Sequence, residues 1–216
     1  TYGLGQARGQ YKIIAEARPI EEVLTDPTFP DSLKTKLQLI EDIRQFAFDS
    51  LGLTYSDNFT SLYDQKGKPI LWVVNACEPY ELKNKEWTFP LLGAVSYKGF
   101  FDLGKAKAEE AIWKAQGYDT RVRTVRGWST LGWFDDPVLS GMLKRSEGSL
   151  AELIVHELTH GTLYIRDSVS FNENLATFIG QQGAIWFLTD HYGPDSPELQ
   201  YYLETEADAA LFIDHI

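Results

Sequence analysis

Two histidines four residues apart flank a glutamate in the segment His156-Glu157-Leu158-Thr159-His160. Residues four apart lie on one face of a helix, so both imidazoles can reach a single metal ion. Glu157 projects beside them, where its carboxylate can take a proton from a water molecule bound to that ion. Two ligands and a general base at this spacing are typical of a zinc hydrolase, most often one that cuts peptide bonds.

The alternative is an ordinary amphipathic helix whose two histidines are partly buried and hydrogen-bonded. The chain has only four His, so a chance match to this pattern is expected on the order of one time in a hundred or less. Residues 150–155, Leu158 and Leu163 have the apolar spacing of a buried helix. Because buried imidazole nitrogens need polar partners, and one metal ion would serve both rings, the motif favours a metal site.

The third ligand is predicted from a second segment, because a catalytic zinc has three protein ligands and one open position. Asn172 is suited to the N-cap of a new helix, and Glu173 would then lie in its first turn. Residues 166–170 are polar enough to form the turn that returns this helix beside the first. We therefore predict Glu173 as the third ligand. The alternative role for this carboxylate is to compensate the helix dipole.

These residues define a hydrolytic mechanism around one Zn²⁺. His156, His160 and Glu173 are predicted to bind the ion, with water in the fourth position, and Glu157 is predicted to move the proton from that water to the leaving amine. A further donor should stabilise the oxyanion.

Two residues are candidates for this oxyanion donor. Tyr164 follows His160 by one helical turn, although a tyrosine on a buried helix is more often a core residue. His191 ends the second helix, where most histidines are surface residues.

Composition sets the broad class of the chain. At 216 residues it can build one sizeable core, and we predict a single catalytic domain over 1–216. The formal net charge of −11 argues against nucleic acid or an anionic membrane surface as a partner. The one cysteine, Cys77, lies in an apolar run and is predicted to be a core residue.

The ends of the chain predict a processed protein. The sequence has neither a transmembrane run nor the hydrophobic core of a signal segment. It begins at Thr1 and stops inside an apparently helical stretch, 206–216. We therefore expect that a targeting segment has been removed and that the C-terminus is truncated.

Hydrophobic periodicity predicts an α+β fold with a small mixed sheet packed against helices and the metal site on helices in the second half. Because a strand, a helix and a strand follow one another between 91 and 126, we expect the sheet to be partly parallel. The predicted helices are 9–24, a second from Asp31 to Gly52, 102–116, the helix of the histidine motif, and two more after it. The predicted strands are 70–77, 91–97 and 120–126.

The motifs also resemble a known family. His156-Glu157-x-x-His160 followed by Asn172-Glu173-x-x-Ala176 is similar to the gluzincin zinc peptidases. The wider sequence resembles one branch, the predicted aminopeptidases of Gram-negative bacteria, which are often lipoproteins. The stretches that carry this likeness are 16–20, 129–138 and 171–173. The resemblance implies a zincin-like fold, a zinc peptidase acting on peptides, and a periplasmic or outer-membrane location through a removed lipid anchor.

The sequence departs from this family pattern in two places. The spacing from His160 to Glu173 is shorter than in the best-studied gluzincins. Thr177 stands where thermolysin-like enzymes have an aspartate that orients a ligand histidine. That orienting role must pass to another residue, for which Asp167 and Asp190 are the candidates.

Substrate binding is predicted in the segment after 129. Gly132 lets another backbone approach closely, so an edge strand here could pair with a peptide, although Trp133 is equally suited to core packing. An aminopeptidase also requires an anion that holds the substrate's ammonium group. The hypothetical suppliers are Asp135, Asp136 and Glu78.

Three functions are compatible with these residues. The first is a zinc peptidase, with the aminopeptidase mode ahead of the endopeptidase mode. The second is a zinc-binding scaffold without turnover, against which Glu157 argues because a structural site needs no base. The third is a zinc hydrolase that acts on a non-peptide amide.

Overall fold

The computed structural model describes residues 2–89, 93–124 and 135–215. The described residues contain seven α-helices, a short 3₁₀-helix (Met142–Lys144) and eight short strands. The helices are α1 (Tyr2–Glu16), α2 (Ile20–Thr25), α3 (Asp31–Asp49), α4 (Leu103–Ala115), α5 (Glu147–Thr162), α6 (Val169–Tyr192) and α7 (Pro197–Asp214). The strands are β1 (Arg18–Pro19), β2 (Ser61–Tyr63), β3 (Trp72–Cys77), β4 (Trp87–Phe89), β5 (Gly93–Val95), β6 (Lys98–Phe100), β7 (Asp119–Thr124) and β8 (Val138–Leu139).

The chain divides into two compact units, which are described separately. The first comprises 1–17 and 63–128, and the second comprises 18–62 and 129–216. The mixed helix and strand content agrees with the predicted α+β class. A single catalytic domain stays a prediction.

The first unit contains a three-stranded sheet in the order β6-β3-β7. Both neighbours pair antiparallel with β3, with Val74 opposite Lys98 on one side and opposite Val122 on the other. Consequently β6 and β7 run in the same direction without touching, and α4 connects them. A strand-helix-strand unit is present, as predicted, and its two strands run in the same direction, but β3 lies between them and pairs antiparallel with each.

Two further predictions are corrected in the first half of the chain. The helix predicted over 9–24 is interrupted at β1, because Pro19 disfavours helical backbone in the residue before it. Cys77 is only partly buried, since it ends β3 and its thiol contacts the backbone oxygen of Glu81 at 3.1 Å.

The second unit contains five of the described α-helices, α2, α3, α5, α6 and α7. Helix α5 packs against both α3 and α6. The large apolar side chains that are fully buried on these three helices include Leu37, Ile40, Ile43, Leu150, Ile154, Leu158, Phe187 and Leu188. A three-stranded sheet in the order β1-β2-β8 completes this unit. Among the described helices, none is both long and apolar enough to span a membrane.

Small residues on α6 allow α5 to approach closely. Gly180 is buried, and a Cβ added to it would lie 2.9 Å from the backbone oxygen of Glu152 and 3.2 Å from the Cβ of His156. A Cβ on Gly183, one turn further, would lie 2.9 Å from Val155. Real Cβ atoms do not approach backbone oxygen so closely, so glycine at 180 sets the distance between the two helices.

Replacing Gly180 with alanine should lower the free energy of unfolding of the metal-free protein by about 1–3 kcal/mol, because the contacted atom is backbone and cannot move alone. The matched control is Gly161→Ala on α5, where an added Cβ meets no atom within 4 Å. The control should lose no stability and gain up to about 1 kcal/mol from helix propensity. Urea denaturation checks both values. Equal stability of the two variants would contradict the close-packing interpretation.

Candidate metal centre

Helix α5 presents both histidines on one side, as predicted. Its N-cap is Ser146, whose hydroxyl accepts a hydrogen bond from the backbone N–H of Ser149 at 3.4 Å. The apolar spacing of the helix buries the face that contains Leu158, and His160 lies at the edge of that face with only 5% of its surface exposed. His156, one turn earlier, is half-buried. The predicted buried helix is therefore present.

Helix α6 begins earlier than predicted. Its first residue is Val169 and its N-cap position is Ser168, which makes no side-chain capping bond. Asn172 is therefore inside the helix, which corrects its predicted role as the N-cap. Glu173 consequently lies in the second turn, where its side chain is 52% exposed.

Asn172 instead fixes the connection between the two helices. Its side-chain oxygen accepts a hydrogen bond from the backbone N–H of Ile165 at 2.8 Å, and its amide nitrogen donates to the backbone oxygen of Ile165 at 2.7 Å. The residue is 1% exposed, so both bonds are shielded from water. Sequence reasoning missed this role, although an amide offers a donor and an acceptor and an N-cap uses only the acceptor.

Three side chains converge where α5 and α6 meet. The two Nε2 atoms of His156 and His160 are 3.2 Å apart. One carboxylate oxygen of Glu173 lies 3.5 Å from Nε2 of His156, and the other lies 3.6 Å from Nε2 of His160. The two predicted histidine ligands and the predicted third ligand are thus brought together, with one donor atom from each within 4.8 Å of the others.

Electrostatics favour this grouping. Contact with His156, and then with His160, holds the pKa of the Glu173 carboxyl well below its usual range, against the opposing effect of burial. Burial alone would lower the pKa of His156. Its contact with Glu173 and the negative charges of Glu157 and Glu152 outweigh burial and raise that pKa above its usual value. The surroundings therefore stabilise positive charge at this point.

The donor set and its spacing fit a zinc ion. Four ligands arranged tetrahedrally at about 2.0–2.1 Å from zinc are separated from one another by about 3.3 Å. The observed separations of 3.2, 3.5 and 3.6 Å lie close to this value. Two imidazole nitrogens and one carboxylate are also donors that zinc accepts. The arrangement is compatible with a metal site formed by His156, His160 and Glu173.

Glu157 lies beside the cluster on the wall of a cavity of about 180 Å³. His156 lines the same cavity, so the predicted base and one predicted ligand face a shared space. The remaining lining residues are Arg145, Ser149, Glu152 and Leu153, which α5 and the segment before it supply. This cavity extends from the cluster toward the N-terminal end of α5.

The substrate-binding predictions have different outcomes. Gly132 and Trp133 lie outside the described residues. Asp136 is 2% exposed, and its backbone N–H donates to the side-chain oxygen of Asn58 at 2.9 Å, so it joins two loops. Asp135 is exposed and lines a separate cleft of about 330 Å³ that includes Gly161, the residue after His160. Glu78 belongs to the other compact unit, where it accepts a hydrogen bond from a tyrosine hydroxyl.

Only one of the two candidate oxyanion donors lies near the cluster. The ring of Tyr164 is 6.4 Å from the ring of His160, and 41% of the residue is exposed because α5 has already ended. The core alternative for Tyr164 was wrong. His191 stacks on Phe187 near the other end of α6, about 27 Å along the helix from Glu173. The structure does not bring His191 to the cluster.

Among the described residues, neither predicted orienting aspartate bonds to the buried ring nitrogen of His160. Nδ1 of His160 is buried and has no hydrogen-bond partner in the part of the chain that the structure describes. Neither Asp167 nor Asp190 therefore accepts a bond from it. Asp190 is separated from Glu173 by about 25 Å of helix, and Thr177 is exposed.

One comparison with known proteins gives a match. A family model described as "Putative aminopeptidase" matches residues 1–215, nearly the whole chain. No curated protein matches the chain, and no solved structure does. The match agrees with the family suggested by the sequence motifs.

Asn172→Ala should destabilise the connection between α5 and α6, because it removes both side-chain hydrogen bonds to Ile165 and leaves the backbone N–H of that residue without its partner. We expect a loss of about 1–3 kcal/mol in the free energy of unfolding and faster amide hydrogen exchange at Ile165. Asn174→Ala is the control, since Asn174 is exposed on the same helix. If the Ile165 amide exchanges at the same rate in Asn172→Ala as in the unsubstituted protein, Asn172 does not hold the connection between the two helices.

Proposed function

The chain belongs to the putative aminopeptidase family, and on that premise we propose that it is a zinc-dependent aminopeptidase. The observation that carries the proposal is the convergence of three donors, Nε2 of His156, Nε2 of His160 and the carboxylate of Glu173, within 4.8 Å of one another. Two histidines and one carboxylate leave a fourth position open, which is the arrangement of catalytic rather than structural zinc sites.

When bound, zinc would supply Lewis acidity, lowering the pKa of a water molecule and polarising the carbonyl of the scissile bond. The chain's own residues have separate tasks. His156 and His160 would bind the ion through Nε2. The carboxylate of Glu173 would bind it as well and offset part of its positive charge. The low pKa of the Glu173 carboxyl supports this role, because the group stays ionised at neutral pH.

Glu157 is the proposed general base and acid. Glu157 lines the same cavity as His156, which supports a shared space for a water molecule and a substrate carbonyl. It would accept a proton from water at one carboxylate oxygen and donate that proton to the nitrogen of the leaving amine. Tyr164 is the proposed donor to the oxyanion, since its ring is 6.4 Å from that of His160.

The proposed substrates are peptides, and the family name favours those with a free N-terminus. An exported, periplasmic or outer-membrane location, which rests on the sequence resemblance, is part of the same proposal. An endopeptidase would cleave peptides with blocked N-termini equally well. Turnover of free and N-acetylated peptides of one sequence therefore separates the two modes.

Metal binding can be tested directly. The purified protein should bind one zinc ion per chain, and His160→Ala or Glu173→Ala should weaken binding by more than about 100-fold, because loss of an outer partner alone costs 10–100-fold. Competition with a chromophoric chelator measures the affinities. Glu204→Ala, which removes an exposed glutamate on α7, is the control and should bind zinc normally. Zinc affinity unchanged by Glu173→Ala would exclude Glu173 as a ligand.

The proposed role of Glu157 in proton transfer can be tested by substitution. Glu157→Gln should lower kcat by about 10²–10⁴-fold with a free N-terminal peptide, because the amide cannot accept the proton. Its zinc content should equal that of the unsubstituted protein, since Glu157 is not a proposed ligand. Turnover at the normal rate by the zinc-loaded variant would contradict the mechanism.

A further inference from the structure

A carboxylate lies one helical turn before the first predicted ligand and faces the same cavity. Glu152 precedes His156 by four residues on α5, an offset of about 6 Å along the helix axis. Glu152, His156 and Glu157 all line the cavity of about 180 Å³ described above. Leu153 gives this cavity an apolar wall. The proposed mechanism uses His156 and Glu157 and leaves Glu152 without a task.

The side chain of Glu152 is held in place from one side. The hydroxyl of Tyr202 donates a hydrogen bond to Oε2 of Glu152 at 3.1 Å. Tyr202 is itself buried, and it packs so closely on α5 that a Cβ at Gly148 would lie 2.6 Å from its ring. A half-buried carboxylate anchored through one oxygen is preorganised to bind a ligand through the other.

The charges around Glu152 favour a cation. Burial, and then the negative charge of Glu206, raises the pKa of Glu152 against the opposing effects of the Tyr202 hydrogen bond and of His156 and Arg145. A further positive group placed against this carboxylate would therefore stabilise its charged form. Glu157 adds a further negative charge to the cavity wall. Arg145 also lines the cavity, and its guanidinium donates to the hydroxyl of Ser149 at 2.9 Å.

We propose that Glu152 binds the α-ammonium group of the substrate's first residue and thereby selects peptides with a free N-terminus. In an amino acid the nitrogen lies about 2.5 Å from its own carbonyl carbon. With a charge-assisted hydrogen bond of about 2.8 Å, the carboxylate oxygen lies about 5 Å from the carbon under attack. Glu152 and His156 lie on adjoining turns of one side of α5 and line the same cavity, so a peptide whose first carbonyl lies beside His156 can extend its ammonium group toward Glu152. The inference rests on the proposed peptidase function and assigns the residue that makes it an exopeptidase.

A merely structural role for Glu152 predicts a different result. If its charge only oriented His156, its loss would weaken zinc binding and would affect all peptides equally. An ammonium-binding role changes the preference between free and blocked N-termini and leaves zinc affinity intact. The ratio of the two peptide affinities therefore distinguishes the roles.

The test is a binding measurement on zinc-loaded protein in the Glu157→Gln background, which suppresses turnover. Isothermal titration with Leu-Gly-Gly and with its N-acetyl form gives the two dissociation constants. We expect the free peptide to bind about 10- to 100-fold more tightly, the range for one charge-assisted hydrogen bond. Adding Glu152→Gln should remove this preference, Glu152→Asp should keep part of it, and Glu204→Gln, the charge-matched control, should keep all of it.

The proposal is overturned if the protein without the Glu152 substitution binds both peptides equally or binds neither, or if Glu152→Gln retains the preference. It is also overturned if Glu152→Gln and Glu152→Asp both lose zinc affinity and bind the two peptides equally weakly, because Glu152 would then position His156. Failure of the proposed function gives a different result. A protein that binds the free peptide selectively but hydrolyses no peptide would contradict the proposed catalysis and leave the role of Glu152 intact.

Discussion

The close packing of α5 on α6 at Gly180 determines where the candidate ligands lie. Glycine there allows the α6 backbone to approach the backbone oxygen of Glu152 and the Cβ of His156, at distances that any side chain would prevent. Glu173 lies two turns earlier on α6, so the same approach brings its carboxylate within 3.5 and 3.6 Å of the two imidazoles. The absence of a side chain at Gly180 thus sets the spacing of a polar cluster.

Two other features fix the relative positions of these side chains. Helical periodicity alone places His156, His160 and Glu152 on adjoining turns of one side of α5. The Asn172 side chain holds Ile165 through two hydrogen bonds and thereby fixes the start of α6 relative to the end of α5. Since Glu173 follows Asn172 directly, the residue that holds the connection also positions the third proposed ligand. Neighbouring residues of the Asn-Glu segment therefore have different tasks, one in packing and one in the site.

Much of this could be predicted from the sequence, and the failures have physical causes. The histidine pair and Glu173 were found because ligand chemistry depends on residue type and on spacing within a helix, both of which are local. His191 was a poor candidate because a single helix of 24 residues, with Glu173 near its start and His191 near its end, keeps the two side chains far apart. The arrangement of β6, β3 and β7 depends on pairing between distant segments, which periodicity does not report. Gly180 and Asn172 were missed because their roles appear only when two helices are in contact.

The central claim is that His156, His160 and Glu173 hold one zinc ion with an open fourth position. Diffraction from crystals grown with stoichiometric zinc, measured on both sides of the zinc absorption edge, tests it directly. The account predicts one anomalous peak bonded to Nε2 of both histidines and to a carboxylate oxygen of Glu173, at about 2.0–2.2 Å, with a non-protein ligand in the fourth position. A peak elsewhere, no peak in zinc-containing crystals, or a fourth protein ligand that closes the site would contradict it.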